Sequence, residues 1–429
     1  MHHFAFRAGE LFCEDIPVSE LATQYGTPLY IYSASTMLEN YRRLDSAFAG
    51  VDHLICYAVK ANSNIHVLRL LAAEGAGFDI VSGGELHRVL AAGGDAGRAT
   101  FAGVGKSVAE VEAALQAGVY SMNVESEAEL ERIQYVASRL GVTAPVAIRV
   151  NPDVDAGTHE FISTGKSHNK FGIGIDRAAE VYRYAAKQDH LQVRGVQTHI
   201  GSQILKAEPF AIAIQKVADL VQQLKADYSL EFFSIGGGIG VAYEDALASG
   251  EQRWWESGPG QDFLTPETYA NTLLPILEPL GLRVLLEPGR FISGNAGILV
   301  SRVEYIKSTP TKRFTILDAA MNDLIRPALY SGYHEAVPVA LPSGSVNQVS
   351  TDLVGPVCES GDFFAKDIEL PGMESGDLLA LMTAGAYGAV MGSTYNTRPL
   401  PPEVLVQGEQ KRLIRRRQSY DDLLALEVS

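Results

Sequence analysis

The sequence predicts an α/β fold, a (β/α)8 barrel joined to a mostly β domain, on three observations. Between residues 50 and 290, short β-branched or apolar runs alternate with helical patterns, the sequence form of a parallel sheet with crossover helices. Eight such units fill about 240 residues, the length of a barrel of this kind. After Gly297 the texture changes to strand-like runs broken by glycine and proline.

Taken in chain order, the first 35 residues, with Pro28-Leu29-Tyr30-Ile31-Tyr32, read as strand and are assigned to the β domain, because the barrel units begin only later. Barrel strands are expected at 53–59, 78–81, 100–104, 121–124, 146–150, 195–199, 232–235 and 283–287. Between them, Ser107 with Glu110 and Ser126 with Glu129 read as capping boxes, and Gly75, Gly93, Gly118 and Gly141 stand where helices end. In the helix after Ser126, Leu130, Ile133, Ala137 and Leu140 recur near a 3.6-residue period and form a core stripe. Later strands are expected at 298–306, 314–317 and 378–381. The predicted domains are therefore 36–292, the barrel, and 1–35 with 293–429, the β-rich domain. A doubly wound sheet uses the same units and stays open as an alternative.

The composition excludes several classes. With 46% hydrophobic and 20% charged residues, the 429-residue chain is that of a folded globular protein. The 35 Lys and Arg face 51 Asp and Glu, a formal charge of −16 that opposes nucleic-acid binding. The basic run Lys411, Arg412 and Arg415 to Arg417 reads as a solvated face. Cys13, Cys56 and Cys358 are odd in number and form no CxxC, so reduced thiols and a cytoplasmic setting are expected, with no cysteine metal site. No membrane segment or signal peptide is expected.

In a barrel the C-terminal ends of the strands face the active-site mouth, so the residues there are the candidate chemistry. Strand one runs into Tyr57-Ala58-Val59-Lys60-Ala61-Asn62, strand six into His199-Ile200-Gly201-Ser202, strand seven into Gly236-Gly237-Gly238, and strand eight into Glu287-Pro288-Gly289-Arg290. Alone, each has an ordinary reading: a solvated lysine, a core histidine, a glycine turn, an ion-paired acid. Together they meet the needs of one cofactor, pyridoxal 5'-phosphate. Lys60, partly neutral in an apolar mouth, offers an amine for the aldehyde, and the glycine amides cradle a phosphate. His199 offers a flat partner for the ring, and Glu287 a carboxylate for the pyridine nitrogen.

Other readings fail on detail. The barrel has no His-x-His pair, so no metal is expected. Val241 stands where a GxGxxG pattern needs its third glycine. Gly105-Lys106-Ser107 and Gly165-Lys166-Ser167 end like P-loops, but Thr100 and Glu160 occupy the first glycine position.

The chain resembles the diaminopimelate decarboxylase family, within the barrel-type (fold III) pyridoxal-phosphate enzymes. The resemblance spans nearly the whole chain and rests on an ordered set: Tyr57 to Asn62, Phe78-Asp79-Ile80-Val81-Ser82-Gly83-Gly84-Glu85, Asn169-Lys170-Phe171-Gly172, His199 to Ser202, Gly236 to Gly238, Glu287 to Arg290 and Cys358-Glu359-Ser360. It implies that Lys60 carries the cofactor, that His199 stacks on its ring and that Glu287 meets its nitrogen. It also implies phosphate contacts from Ser202, Gly238, Gly289, Arg290 and Tyr387, and substrate contacts from Arg290, Arg326, Tyr330, Glu359 and Tyr387. Cys358 is implied as proton donor across the interface of a homodimer with shared active sites.

The implied activity is decarboxylation of meso-2,6-diaminopimelate to L-lysine, and physical chemistry makes sense of the implied residues. The distal end of that substrate carries a carboxylate and an ammonium group, which guanidinium forks and a carboxylate suit: Arg290 and Arg326 with Glu359. A substrate lacking the distal carboxylate leaves buried arginines unpaired and is rejected. Arg326 and Tyr330, four apart, share a helix face if 322–330 is helical, which mere packing also explains. The ordinary role of Cys358 is that of a buried hydrophobe. Residues 153–170 read either as a lid or as a surface loop. A catalytically silent relative and decarboxylases of arginine, ornithine or carboxynorspermidine are the alternatives.

Overall fold

The computed structural model describes residues 1–154, 170–342 and 347–428. It contains two compact units, Asn40–Gly240 with Asp262–Phe291, and Met1–Glu39 with Val241–Gln261 and Ile292–Ser429.

The first unit is a closed barrel. Its strands are β1 (His53–Ala58), β2 (Gly77–Ile80), β3 (Ala99–Phe101), β4 (Ser121–Val124), β5 (Ala144–Asn151), β6 (Leu191–Gln197), β7 (Phe232–Ser234) and β8 (Arg283–Leu286). Each pairs in parallel with the next, and β8 pairs with β1, so the doubly wound alternative falls away. The strands are nearly all buried, which is why they read as continuous apolar runs and not as alternation.

Helices α1 (Ile65–Ala73), α2 (Gly83–Ala91), α3 (Val108–Ala117), α4 (Glu127–Leu140), α5 (Ile175–Ala185), α6 (Glu208–Tyr228) and α7 (Pro266–Leu277) cover the barrel strands. Ser107 and Glu110 form the expected reciprocal box at α3. At α4 only half of the box forms. The Ser126 side chain accepts the Glu129 N–H, but the Glu129 carboxylate turns away to buried Lys106 at 2.5 Å and to the Glu125 N–H at 2.7 Å. A buried ammonium attracts a carboxylate more strongly than one exposed amide does. The expected α4 stripe is buried at Leu130, Ile133 and Ala137 and half-buried at Leu140.

The barrel interior is packed by Leu54, Cys56, Ala147, Phe232 and Leu285. Gly195 makes room for this packing, since a Cβ there would lie 2.5 Å from the Phe232 ring. Burying such a ring contributes roughly 1.5–3 kcal/mol.

In the second unit, Leu29–Ser33 is buried at every position because it lies between two strands. It runs antiparallel to Gly297–Ser308 and parallel to Glu403–Gln407. Arg313–Leu317, Gln348–Val354 and Phe363–Pro371 extend this sheet, and Leu378–Leu381 pairs with both Gly297–Ser308 and Ala336–Pro338. Its core includes Leu29, Ile31, Ile298, Val300, Ala380 and Val404. The basic run is less solvated than expected: Lys411 pairs with Glu20, Arg416 with Asp422, and Arg415 with buried Glu403 at 2.7 Å. Among the described residues, no helix is long and apolar enough to cross a membrane.

Candidate active site

The barrel mouth gathers the predicted residues on neighbouring strands. Lys60 sits in a short 3-10 turn directly after β1, His199 two residues after β6, Gly236–Gly238 after β7, and Glu287 directly after β8. Since β6, β7, β8 and β1 are consecutive neighbours in the wall, the four groups share one rim.

Lys60 differs from expectation in its surroundings. Its Nζ lies 2.5 Å from Oδ2 of Asp79, whose side chain is buried on β2, so the mouth there is acidic and not apolar. A neighbouring carboxylate favours the ammonium form. The second oxygen of Asp79 is buried and has no hydrogen-bond partner among the described residues.

Glu287 is buried with both oxygens fastened, Oε1 by the Ser234 hydroxyl at 2.7 Å and Oε2 by the Gln197 amide at 3.0 Å. Burial first, and then the Asp79 charge, push its carboxyl above the ordinary range, while the two hydrogen bonds and Lys60 pull the other way. His199 is held neutral: burial foremost, then the charges of Arg149 and Lys60, keep its imidazole well below its usual value. Its Nδ1 accepts the Gly237 N–H at 3.2 Å, which leaves the ring proton on Nε2.

The glycine run is dictated by backbone crowding. A Cβ at Gly237 would lie 2.0 Å from the Glu287 carbonyl oxygen, one at Gly236 2.5 Å from the Thr198 carbonyl, and one at Gly238 2.4 Å from the Gly201 carbonyl. Gly236 and Gly238 also have φ of +70° and +117°, which side chains resist. Beside this loop, Nη2 and Nε of buried Arg290 approach the Ser202 hydroxyl at 3.3 and 3.4 Å, and Gly289 allows contact with Ala61.

Several contributors carried no assigned role at the sequence level. Asp79 and Arg149 are charges inside otherwise apolar strands, a signal that burial turns into a polar lining. Arg149 pairs with buried Glu125 at 2.8 Å, reaches the His199 carbonyl at 3.4 Å and lies over the Phe171 ring. Burial raises the Glu85 carboxyl to about 7, against the pull of the Val81 N–H and Lys60. Lys106 of the P-loop-like stretch is buried on Glu129, and Gly165-Lys166-Ser167 lies outside the described residues, as does Asn169 and most of 153–170.

The remaining predicted residues belong to the second unit. The helix α8 (Arg326–Tyr330) is shorter than 322–330, with Arg326 buried and Tyr330 half-buried at its two ends. Cys358 and Glu359 are exposed, so Cys358 is not the buried hydrophobe of the ordinary reading, whereas Cys13 and Cys56 are buried. Tyr387 holds a φ of +56°, a strained conformation for a non-glycine residue.

Pyridoxal phosphate fits the mouth. The residues there are an amine, a neutral flat ring, a buried acid with a raised carboxyl, a side-chain-free loop and an orphaned carboxylate oxygen. Residues 34–294 match the family model described as the pyridoxal binding domain of pyridoxal-dependent decarboxylases. The chain belongs to the pyridoxal-dependent decarboxylases. Within that family it is 49% identical to the diaminopimelate decarboxylase of Vibrio cholerae, over 100% of this chain and 99% of the relative. It is likewise 49% identical to that of Pseudomonas aeruginosa, over 99% and 98%. Among solved structures, the diaminopimelate decarboxylase of Helicobacter pylori complexed with L-lysine matches with a TM-score of 0.88 and 42% identity, over 95% of this chain and 98% of that one. As a pyridoxal-dependent decarboxylase the chain takes pyridoxal phosphate as its cofactor.

Proposed function

We propose that this chain removes one carboxylate of meso-2,6-diaminopimelate as carbon dioxide and releases L-lysine, the last step of lysine biosynthesis by that route. One observation carries the reading: the closed barrel sets Lys60, Asp79, His199, Gly236–Gly238 and Glu287 on five consecutive strands of one rim. The full-length likeness to diaminopimelate decarboxylases supports the substrate.

When bound, pyridoxal phosphate supplies an electron-withdrawing ring that takes up the electron pair left as carbon dioxide departs. Lys60 is the amine that would hold the cofactor's aldehyde, and Asp79 keeps its ammonium form in place. Glu287 holds a proton at the ring nitrogen, a task suited to a carboxyl whose affinity for protons burial has raised. His199, neutral and fixed by the Gly237 N–H, supports the ring face without adding a charge. Ser202, Gly236, Gly237, Gly238, Gly289, Arg290 and Tyr387 bind the phosphate. Arg290, Arg326, Tyr330, Glu359 and Tyr387 bind the substrate, and Sγ of Cys358 delivers a proton to the reacting carbon.

In the domain division at 36–292, the barrel carries the cofactor chemistry together with Arg290, and the β-rich domain carries Arg326, Tyr330, Glu359 and Tyr387. The enzyme works in the cytoplasm as a homodimer with shared sites, a reading that the exposure of Cys358 and Glu359 supports. Mixing Lys60→Ala chains with Cys358→Ala chains then restores activity, because one hybrid site holds both native residues; no recovery overturns the shared site. The main test is carbon dioxide release from meso-diaminopimelate, lysine, ornithine and arginine, with and without added cofactor. Release from meso-diaminopimelate alone is expected. Release from another of these substrates in its place, or from none by cofactor-loaded protein, overturns the proposal.

A further inference from the structure

Cys358 and Glu359 stand on the surface, but the loop that carries them is tied to the interior. Buried Asp362 accepts the Val357 N–H with Oδ2 and the Met321 N–H with Oδ1, both at 2.7 Å. The Glu359 N–H donates to the Val357 carbonyl at 2.8 Å, and the Asp362 N–H donates to the Glu359 carbonyl at 3.0 Å. Backbone bonds on both sides thus fix where the Glu359 side chain leaves the chain. A Cβ at Gly355 would stand 2.5 Å from Asp362 Oδ2, so the acid fills the space beneath the loop.

A second surface turn, Tyr395–Thr397, lies against this loop. The Asn396 amide oxygen accepts the Cys358 N–H at 3.5 Å, and the Tyr395 phenol is hydrogen-bonded to the Glu359 carboxylate. That bond and the Glu359 charge, foremost, hold the phenol above its ordinary value, so it keeps its proton and donates it. The turn is strained: Asn396 and Thr397 have φ of +57° and +56°, a conformation that a β-branched residue resists. It is anchored by Arg398, whose Nε donates to Asn322 Oδ1 at 3.1 Å and whose Nη2 donates to the Asp318 carbonyl. The Ser393 N–H adds a bond to the Asn322 carbonyl at 2.9 Å.

Asp362 and Asn322 are buried, but the groups they support are not. Tyr395, Asn396, Cys358 and Glu359 are all exposed, where a hydrogen bond adds little to stability. An ordinary surface tyrosine needs no strained turn beneath it, and strain of this kind persists where the surrounding structure enforces it, commonly at functional sites. A glutamate side chain free in water samples many rotamers, and ordering it on a ligand costs affinity. A phenol that already holds the carboxylate removes part of that cost. The carboxylate has further lone pairs, so the one given to the phenol leaves acceptors for an arriving ammonium. We propose that Tyr395 is a positioning residue that presets the Glu359 carboxylate for the ammonium group at the distal end of the substrate. This role of Tyr395 rests on the reading that Glu359 binds substrate.

A double-mutant cycle on the cofactor-loaded enzyme tests it, since both residues lie on one chain. Glu359→Ala removes the carboxylate and raises KM for meso-diaminopimelate roughly 30-fold or more. Tyr395→Phe keeps the ring and loses the hydroxyl. It raises KM roughly 3- to 10-fold while kcat and the urea midpoint stay nearly unchanged. The double variant shows no more than the Glu359→Ala effect, because a phenol with no carboxylate to orient no longer matters.

A tyrosine that serves the fold alone gives effects that multiply in the double variant, and it moves kcat or the midpoint as well. Multiplied effects, or a Tyr395→Phe enzyme with wild-type KM, overturn the proposal. A Glu359→Ala enzyme with wild-type KM overturns the underlying reading, and the role of Tyr395 falls with it. A raised KM in Glu359→Ala beside an unaltered one in Tyr395→Phe leaves Glu359 in place and removes Tyr395 alone.

Discussion

Arg149 in the barrel and Arg326 in the β-rich unit are buried alike, at 6% and 7% exposure, yet they are held by opposite means. Arg149 is met by the buried carboxylate of Glu125, which also accepts the Gly172 N–H, so acid and base together tie a strand to the segment beyond it. Arg326 is met by an imidazole and a phenol ring. A guanidinium matched by an acid spends its charge within the fold. On the function proposed above, Arg149 serves the fold and Arg326 the substrate, although the two are equally buried.

The contrast breaks if chemistry and stability fail to separate. The largest effect belongs to the mouth. Lys60→Ala is expected to lose at least about 10⁴-fold in turnover, because the amine that binds and exchanges the aldehyde is gone. Undiminished carbon dioxide release ends the assignment. Arg326→Leu comes next, with kcat/KM down by roughly 10³-fold while unfolding free energy in urea moves by less than about 1 kcal/mol. A collapse in stability makes Arg326 scaffold after all. Glu125→Ala behaves in the opposite sense: leaving Arg149 buried without its acid costs about 3–5 kcal/mol of stability in urea unfolding. A change below about 1 kcal/mol erases the distinction.

The smallest effect sharpens the picture of the mouth's acids. Burial lifts the Glu85 carboxyl from 4.5 to about 7. The folded chain therefore binds that proton more tightly than the unfolded chain does. Its contribution is full below about pH 4.5 and is lost as pH rises through about 7. Because Glu85 is partly exposed, the loss amounts to about 1–2 kcal/mol. Glu85→Gln should flatten the urea-stability profile between pH 5 and 7.5 by that amount, and an unchanged profile assigns the slope to other groups.

The barrel was legible because buried parallel strands write themselves as apolar runs, and each predicted strand overlaps an observed one. Lys60, His199, Gly236–Gly238 and Glu287 were legible because strand ends in such a barrel have one destination. Asp79 and Arg149 were visible as charges within strands, but their partners depend on which strands adjoin across the wall. Glu129 looked like a capping residue because sequence spacing cannot show that Lys106, 23 positions earlier, is buried beside it. His334 was less legible still. Its bond to Arg326 arises only after Ser331, at a φ of +51°, turns the chain back on itself.

The loop of Gly236, Gly237 and Gly238 is frozen by carbonyl oxygens of its own chain, the nearest 2.0 Å from where a Cβ would stand. Around Arg326 the fit depends instead on side chains, Tyr243 and His334. Side chains can exchange for others where backbone cannot, so on the function proposed above a lineage of such enzymes keeps its grip on the vitamin unaltered and does its retuning for one amino acid or another around Arg326.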